Sequence, residues 1–180
     1  MPVYWQSAEQ AKLSETVYLS LGSNQGDRMA NLRFGLEQLK RISEGGIVEV
    51  SSVYETEPWG VGDQPDYLNI AVRISWTKDA FSLLEQTQNF EVMAGRERKH
   101  KKGQPRTLDI DILLFGEHIM SSENLTVPHA SLTERRFVLQ PLSDIAAEAV
   151  IATTGLRVRE ALLNCVDDCR VKLFSAKLGC

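Results

Sequence analysis

The residues best suited to chemistry are two aspartates one position apart, in Pro105-Arg106-Thr107-Leu108-Asp109-Ile110-Asp111-Ile112-Leu113-Leu114-Phe115. Apolar and β-branched side chains dominate this segment, and Pro105 and Gly116 bound it, which is the pattern of a buried strand. Strand side chains alternate between faces. Leu108, Ile110, Ile112 and Leu114 are therefore expected to enter a core, while Asp109 and Asp111 stand together on the other face, with Cα atoms roughly 6.5–7 Å apart. Two carboxylates so placed repel each other and lose hydration. A hard cation relieves both costs. Mg²⁺ suits the arrangement because it takes one or two carboxylates and completes its shell with water and phosphate oxygens. Two acids can also share two ions, which then clamp a phosphoryl group in transit. The competing reading is an exposed strand face with two solvated acids. The surrounding charge favours the first. Arg96, Arg98, Lys99, Lys101, Lys102 and Arg106 lie close upstream, against Glu97 alone, and phosphate recognition needs such cations.

The rest of the composition fits a soluble enzyme domain. The chain has 180 residues, of which 43% are hydrophobic, enough for one domain with a sizeable core. A net charge of −4 gives no broad affinity for nucleic acid, and none is expected as a partner. No apolar run reaches the length of a membrane span, and the N-terminus has no basic-then-apolar leader pattern, so no membrane partner is expected. The three cysteines, Cys165, Cys169 and Cys180, are odd in number and clustered late, which argues against a disulfide framework. No second ligand pair accompanies Cys165 and Cys169, so zinc is not expected. These features point to a cytoplasmic setting.

The elements that must position the acids can be read in order. Residues 1–15 form an N-terminal extension, 16–165 a single domain and 166–180 a tail with a polar end. Residues 16–21 read as a strand, and Gly22-Ser23-Asn24 as a tight turn into a helix over 27–42, with Met29, Leu32, Leu36 and Leu39 on one face. Gly45-Gly46 ends that helix. Residues 47–54 are strand-like. The loop at 55–66 carries Trp59 and has the length of a substrate-contacting loop. Residues 67–76 alternate cleanly, with Leu68, Ile70, Val72 and Ile74 on one face and Tyr67, Asn69 and Ala71 on the other. A second helix spans 78–95, with Phe81, Leu84 and Phe90 among its apolar positions and Gln88 and Glu91 near its end. The basic loop and the acidic strand follow, then a helical stretch from Arg135 to about 147 and a last helix at 158–164. The order strand-helix-strand-strand-helix-strand predicts an α+β, ferredoxin-like βαββαβ core. Its sheet would be antiparallel with helices packed on one face, and helical additions would follow at the C-terminal end. The uncovered face would carry Tyr67, Asn69, Asp109 and Asp111.

Six segments, in order and spacing, extend the reading. They are Leu19-Ser20-Leu21-Gly22-Ser23-Asn24, Asp63-Gln64-Pro65-Asp66-Tyr67-Leu68-Asn69, Gly95-Arg96-x-Arg98, the Pro105 to Leu113 stretch, Val127-Pro128-His129, and Arg135-x-Phe137-Val138-Leu139-x-Pro141. Together they resemble the 6-hydroxymethyl-7,8-dihydropterin pyrophosphokinase family of folate biosynthesis, over about residues 17–147. The resemblance implies transfer of pyrophosphate from ATP to the pterin hydroxymethyl group, with release of AMP. It implies that Asp109 and Asp111 hold two Mg²⁺ ions and that Arg96 and Arg106 grip the phosphates and assist transfer. It implies a pterin site of Thr56, Trp59, Tyr67, Asn69 and Phe137. It also places Gln88, Glu91, Arg98, Ile112, Thr126, His129 and Arg135 at or near the nucleotide. The implied partners are the two small substrates, acting on a monomer.

The chain departs from that family pattern in places. Gly103 and Gln104 stand where many relatives carry Trp-Gly, Lys102 where Arg is common, and Ala130 where some have an aromatic. Three other readings compete: a polymerase-β-type nucleotidyltransferase, a ferredoxin-like sensor without catalysis, and a degenerate, inactive pyrophosphokinase, which only the missing loop Trp favours. The first expects a Gly-Ser close before the acids, whereas Ser23 is far upstream. The second has no use for paired acids beside six basic residues.

Overall fold

The computed structural model describes residues 14–46, 48–58, 64–96 and 104–178. Its order is β1 (Glu15–Ser23), α1 (Arg28–Ile42), β2 (Glu49–Val50), β3 (Val53–Thr56), β4 (Tyr67–Trp76), α2 (Ala80–Met93), β5 (Asp109–Phe115), β6 (Met120–Ser121), β7 (Thr126–Val127), α3 (Arg136–Ala146), α4 (Val158–Asn164) and β8 (Val171–Ser175). The main sheet runs β5-β1-β4-β3-β8, with β2 also paired to β4. All of its pairings are antiparallel. The register to β4 shifts by one residue between β2 and β3, so the two are one strand interrupted at Ser51 and Ser52. Counted that way, β1 to β5 follow the βαββαβ order expected of a ferredoxin-like fold.

One face of the sheet is closed by α1 and α2. The Asp27 carboxylate accepts from the Ala30 amide at 3.0 Å, and the Asp79 carboxylate from the Ser82 amide at 2.8 Å. Each satisfies an orphan donor at its helix start. Leu32, Leu36 and Leu39 of α1 and Leu83 and Phe90 of α2 then cover Leu19, Leu21, Leu68, Ile70, Ile110 and Ile112. Burying each such side chain is worth about 1.5–3 kcal/mol, so this layer drives folding. Phe81, expected on the apolar face of α2, is instead 51% exposed, and Leu83 takes the core position. Helix α1 ends at Ile42, with Ser43 as its C-cap. Gly45 and Gly46 follow in a separate tight turn instead of ending the helix themselves.

The second face is shared. Val138, Leu139 and Leu142 of α3, with Val158 and Ala161 of α4, pack on Ala71, Leu113 and Leu114. Further along this face Tyr67, Asn69, Asp109 and Asp111 lie outside both apolar clusters. A β-bulge makes the division possible. Tyr18 pairs with Leu114 but Leu19 with Ile112, so Leu113 is the extra residue. A bulge puts two successive side chains on one face. Leu113 and Leu114 therefore both join the second cluster, and Phe115 returns to the first. The expectation that Leu114 shares a face with Ile112 is corrected on this point.

The tail also differs from its polar-end reading. Its strand β8 pairs with β3 along Thr56–Val53, and Leu178 is buried in the first cluster. Upstream, the Arg136 amide donates to Asp167 Oδ2 at 2.9 Å at the start of α3.

Candidate active site

Backbone register brings the site together. Asp109 of β5 stands opposite Gly22 of β1, Gly22 opposite Asn69 of β4, and Asn69 opposite Tyr54 of β3. In the next row Asp111 stands opposite Ser20, and Ser20 opposite Ala71. Opposed residues on antiparallel strands share a face. The acids and Asn69 thus flank a floor of small residues, Gly22, Ser20 and Ala71. A Cβ on Gly22 would lie 2.7 Å from Asn69 Oδ1 and 3.6 Å from the Tyr67 ring. Only glycine leaves that carboxamide in place. Asn69 Nδ2 donates to Thr56 Oγ1 at 2.7 Å, and both residues are buried. This bond fixes the amide with its oxygen toward the space above Gly22. Tyr67, paired with Thr56, stands beside it, and burial raises its phenol pKa.

The acids meet their cations at the sheet edge formed by β5. Arg96 Nη1 bonds Asp109 Oδ1 at 2.8 Å and Glu91 Oε2 at 2.5 Å. Arg106 Nη1 bonds Asp109 Oδ2. Glu91 Oε1 accepts from the Ile110 amide at 2.7 Å. Buried Glu91 thus ties the end of α2 to both Arg96 and the acidic strand. Its burial, then the charge of Asp109, push its pKa up to about 7. Asp111 is pushed up to about 6, first by desolvation and then by Asp109. A cavity of about 320 Å³ adjoins this cluster, lined by Gln25, Gly95, Arg96, Gln104, Arg106 and Thr107.

The donor set suits a hard cation that takes most of its shell from a ligand. Among the described residues no three or more His, Cys, Asp or Glu side chains are grouped to hold a metal. Two carboxylates on one strand face, with water and phosphate oxygens to complete the shell, form a donor set that Mg²⁺ accepts. Asp109 and Asp111 are the residues that would hold it.

Other residues singled out from the sequence fall around these two centres. Arg135 lies 5.9 Å over the Phe137 ring at the start of α3, and its charge reaches Asp111. The His129 amide donates to Leu113 O at 3.0 Å, and its ring accepts from the Ser131 amide at 3.3 Å. Burial, then Arg135, lower the His129 pKa, favouring a neutral ring. Thr126 is in β7. Gln88 lies on an exposed face of α2. The Ile112 side chain is buried in the first cluster. Any ligand contact there is through its backbone, which by the two-residue repeat faces the same open edge as the Ile110 amide. Trp59 and Arg98 lie outside the described residues. Sequence reasoning missed Asn24, which it took as part of a turn. That residue is 2% exposed and bonds Gln64, Pro65 and Arg106. Its inclusion in the Gly-Ser-Asn segment was the available signal.

Comparison with known proteins decides the family. The profile of the 7,8-dihydro-6-hydroxymethylpterin-pyrophosphokinase (HPPK) family matches residues 18–147. The chain belongs to this family. It is 43% identical over 153 residues to the 2-amino-4-hydroxy-6-hydroxymethyldihydropteridine pyrophosphokinase of Bacillus subtilis, covering 81% of this chain and 91% of the relative. It is 36% identical over 158 residues to the enzyme of the same name from Haemophilus influenzae, covering 88% and 98%. Among solved structures, the wild-type HPPK-DHPS of Plasmodium falciparum aligns with a TM-score of 0.66 at 15% identity. That alignment covers 84% of this chain and 44% of the Plasmodium chain, so the chain spans less than half of that protein and the likeness speaks for the fold. As an HPPK-family member, the chain contains no helix among the described residues that is long and apolar enough to cross a membrane.

Proposed function

We propose that this protein transfers the β,γ-pyrophosphoryl group of ATP to the hydroxymethyl group of 6-hydroxymethyl-7,8-dihydropterin, a step of folate biosynthesis. The pterin hydroxyl oxygen forms a bond to the β-phosphorus, the bridging bond between the α- and β-phosphates breaks, and AMP leaves. The observation that carries the reading is the open row of Asp109, Gly22 and Asn69, with Arg96 and Arg106 bonded to Asp109, in a chain of this family.

Asp109 and Asp111 hold Mg²⁺, in two ions. When bound, the metal neutralises phosphate charge and lowers the barrier to attack at phosphorus. Arg96 and Arg106 offer planar, bidentate donors to phosphate oxygens. Their present partner is Asp109, so the charge of that carboxylate is already compensated in the ligand-free chain. Glu91, bonded to Arg96, orients that arginine. Tyr67 and Phe137 hold the flat pterin by stacking, Thr56 and Trp59 line its pocket, and Asn69, oriented by Thr56, bonds its amide-like edge. Arg98, Gln88, Ile112, Thr126, His129 and Arg135 form the nucleotide side. Phosphoryl chemistry asks little more of a protein than such positioning and charge compensation. The domain comprises residues 16–165, preceded by the extension and followed by a tail that adds β8 to its sheet and Leu178 to its core. We read it as a cytoplasmic monomer with neither nucleic-acid nor membrane partners.

The test is product analysis with ATP, Mg²⁺ and the pterin. Pterin-dependent AMP without ADP or free pyrophosphate is expected. ADP would make the protein a simple kinase, and binding without turnover would make it a sensor.

A further inference from the structure

Asn24 sits just beyond β1, two residues after Gly22, and joins the approaches to the two halves of the site. Its amide donates to Arg106 O at 3.0 Å, and its Oδ1 accepts from the Arg106 amide at 2.7 Å. This two-point clamp fixes the backbone of the residue whose guanidinium holds Asp109. Its Nδ2 donates to Pro65 O and Gln64 Oε1, both at 3.2 Å, directly before Tyr67 and Asn69. The orientation of the carboxamide is dictated by chemistry. The Arg106 amide can only donate, and the Pro65 carbonyl can only accept. With 2% exposure, water does not replace these partners. No other residue type of this size supplies a donor and an acceptor on fixed opposite sides.

We propose that Asn24 is a positioning residue that couples the pterin and nucleotide subsites. A nucleotide that fixes Arg106 holds Asn24, and Asn24 then holds the segment leading into Tyr67 and Asn69. Pterin binding to that pre-set segment has less ordering left to do, so each ligand tightens the other by the same factor. The inference rests on the pyrophosphokinase reading and adds to it a residue that touches neither substrate.

The experiment is calorimetric titration of the pterin into the full chain, with and without Mg²⁺ and α,β-methylene-ATP, whose α–β bridge cannot be cleaved. The ratio of the two pterin affinities is the coupling factor. In the wild type it is expected to be about tenfold or more, within the 5–150-fold range of such couplings. Asn24→Asp keeps the acceptor for Arg106 and loses the donor to Pro65. It should bring the factor close to one while leaving nucleotide binding alone within about threefold. Gln64→Leu removes one bond from the same side with Asn24 intact and should lower the factor part-way. An irreversibly misfolded fraction enters the stoichiometry of the titration and not the affinity, so it drops out of the factor. Single-ligand affinities that fall while the factor holds in both variants would reduce Asn24 to a structural role and overturn the proposal. A wild-type factor of one with both ligands bound would do the same. A wild type that binds no pterin and makes no AMP would instead fail the functional reading itself, and the coupling would fall with it.

Discussion

Gly22 and Asn69 face each other across β1 and β4 so closely that a single added carbon on Gly22 would sit 2.7 Å from Asn69 Oδ1. Gly22→Ala therefore displaces the carboxamide proposed to meet the pterin and spares Asp109 in the same row and Asp111 in the next. A rise in pterin KM of about tenfold, the effect of roughly 1.4 kcal/mol, is expected with ATP KM nearly unchanged. Steady-state kinetics varying each substrate in turn decides it.

The acids invite the opposite pattern. Asp111→Asn removes an oxygen proposed to hold the metal, and turnover should fall by about three orders of magnitude, the several kcal/mol that a metal at the phosphates would supply. The ligand-free fold should be no less stable, because the group removed is a carboxylate that its surroundings already disfavour. Pairing AMP-release assays with thermal unfolding separates these outcomes.

The same residue gives a dependence on pH. Asp111 and Glu91 have folded-state pKa values raised to about 6 and about 7, above their unfolded values. Groups of this kind favour the fold below their unfolded pKa and lose that contribution as pH rises through the folded one. Across about pH 4 to 8 the ligand-free wild type should therefore lose stability relative to Asp111→Asn, chiefly between about pH 4 and 6, Glu91 being common to both proteins. Mg²⁺ with a nucleotide analogue should restore more of it at pH 8 than at pH 5.5. His129, which titrates in the other direction, is common to both proteins and drops out of the comparison. Melting curves across that range, with and without ligand, test the sign.

The tail supplies a stability prediction. The Asp167 carboxylate caps α3 through the Arg136 amide and also accepts from the Cys169 amide. Asp167→Ala should cost about 1 kcal/mol, the usual loss on removing such a cap. Chemical denaturation is expected to show a lower midpoint with an unchanged slope. Phe137, next in α3, should then hold pterin less well, visible as a modest rise in pterin KM.

Much of this site was legible because its parts are periodic. The alternation over Tyr67–Trp76 marks β4 at its observed bounds, and the apolar stripe from Leu32 to Leu39 marks α1. The paired aspartates share a face as the strand period requires. What escaped was set by partners far along the chain. Strand β8 exposes Lys172, Leu173 and Phe174 in succession, so no alternation announces it, and only β3 defines it. The extra residue at Leu113 is visible only against the register of β1. Asn24 gains its role from Gln64 and Arg106, 40 and 82 positions away, and no local pattern encodes either bond.

The bulge in β5 also predicts how the strand tolerates change. Before Leu113 the two aspartates lie outside the packed clusters and alternate with the core residues Ile110 and Ile112. From Leu113 onward every side chain of the strand is committed to one cluster or the other. A saturation scan scored separately for abundance and for growth without supplied folate should therefore show the two kinds of position alternating up to Ile112, and abundance-sensitive positions alone from Leu113 onward. At Asp109 and Asp111, substitutions would yield abundant but idle protein. At Leu113, Leu114 and Phe115 they would deplete the protein itself, with the activity of each surviving molecule intact.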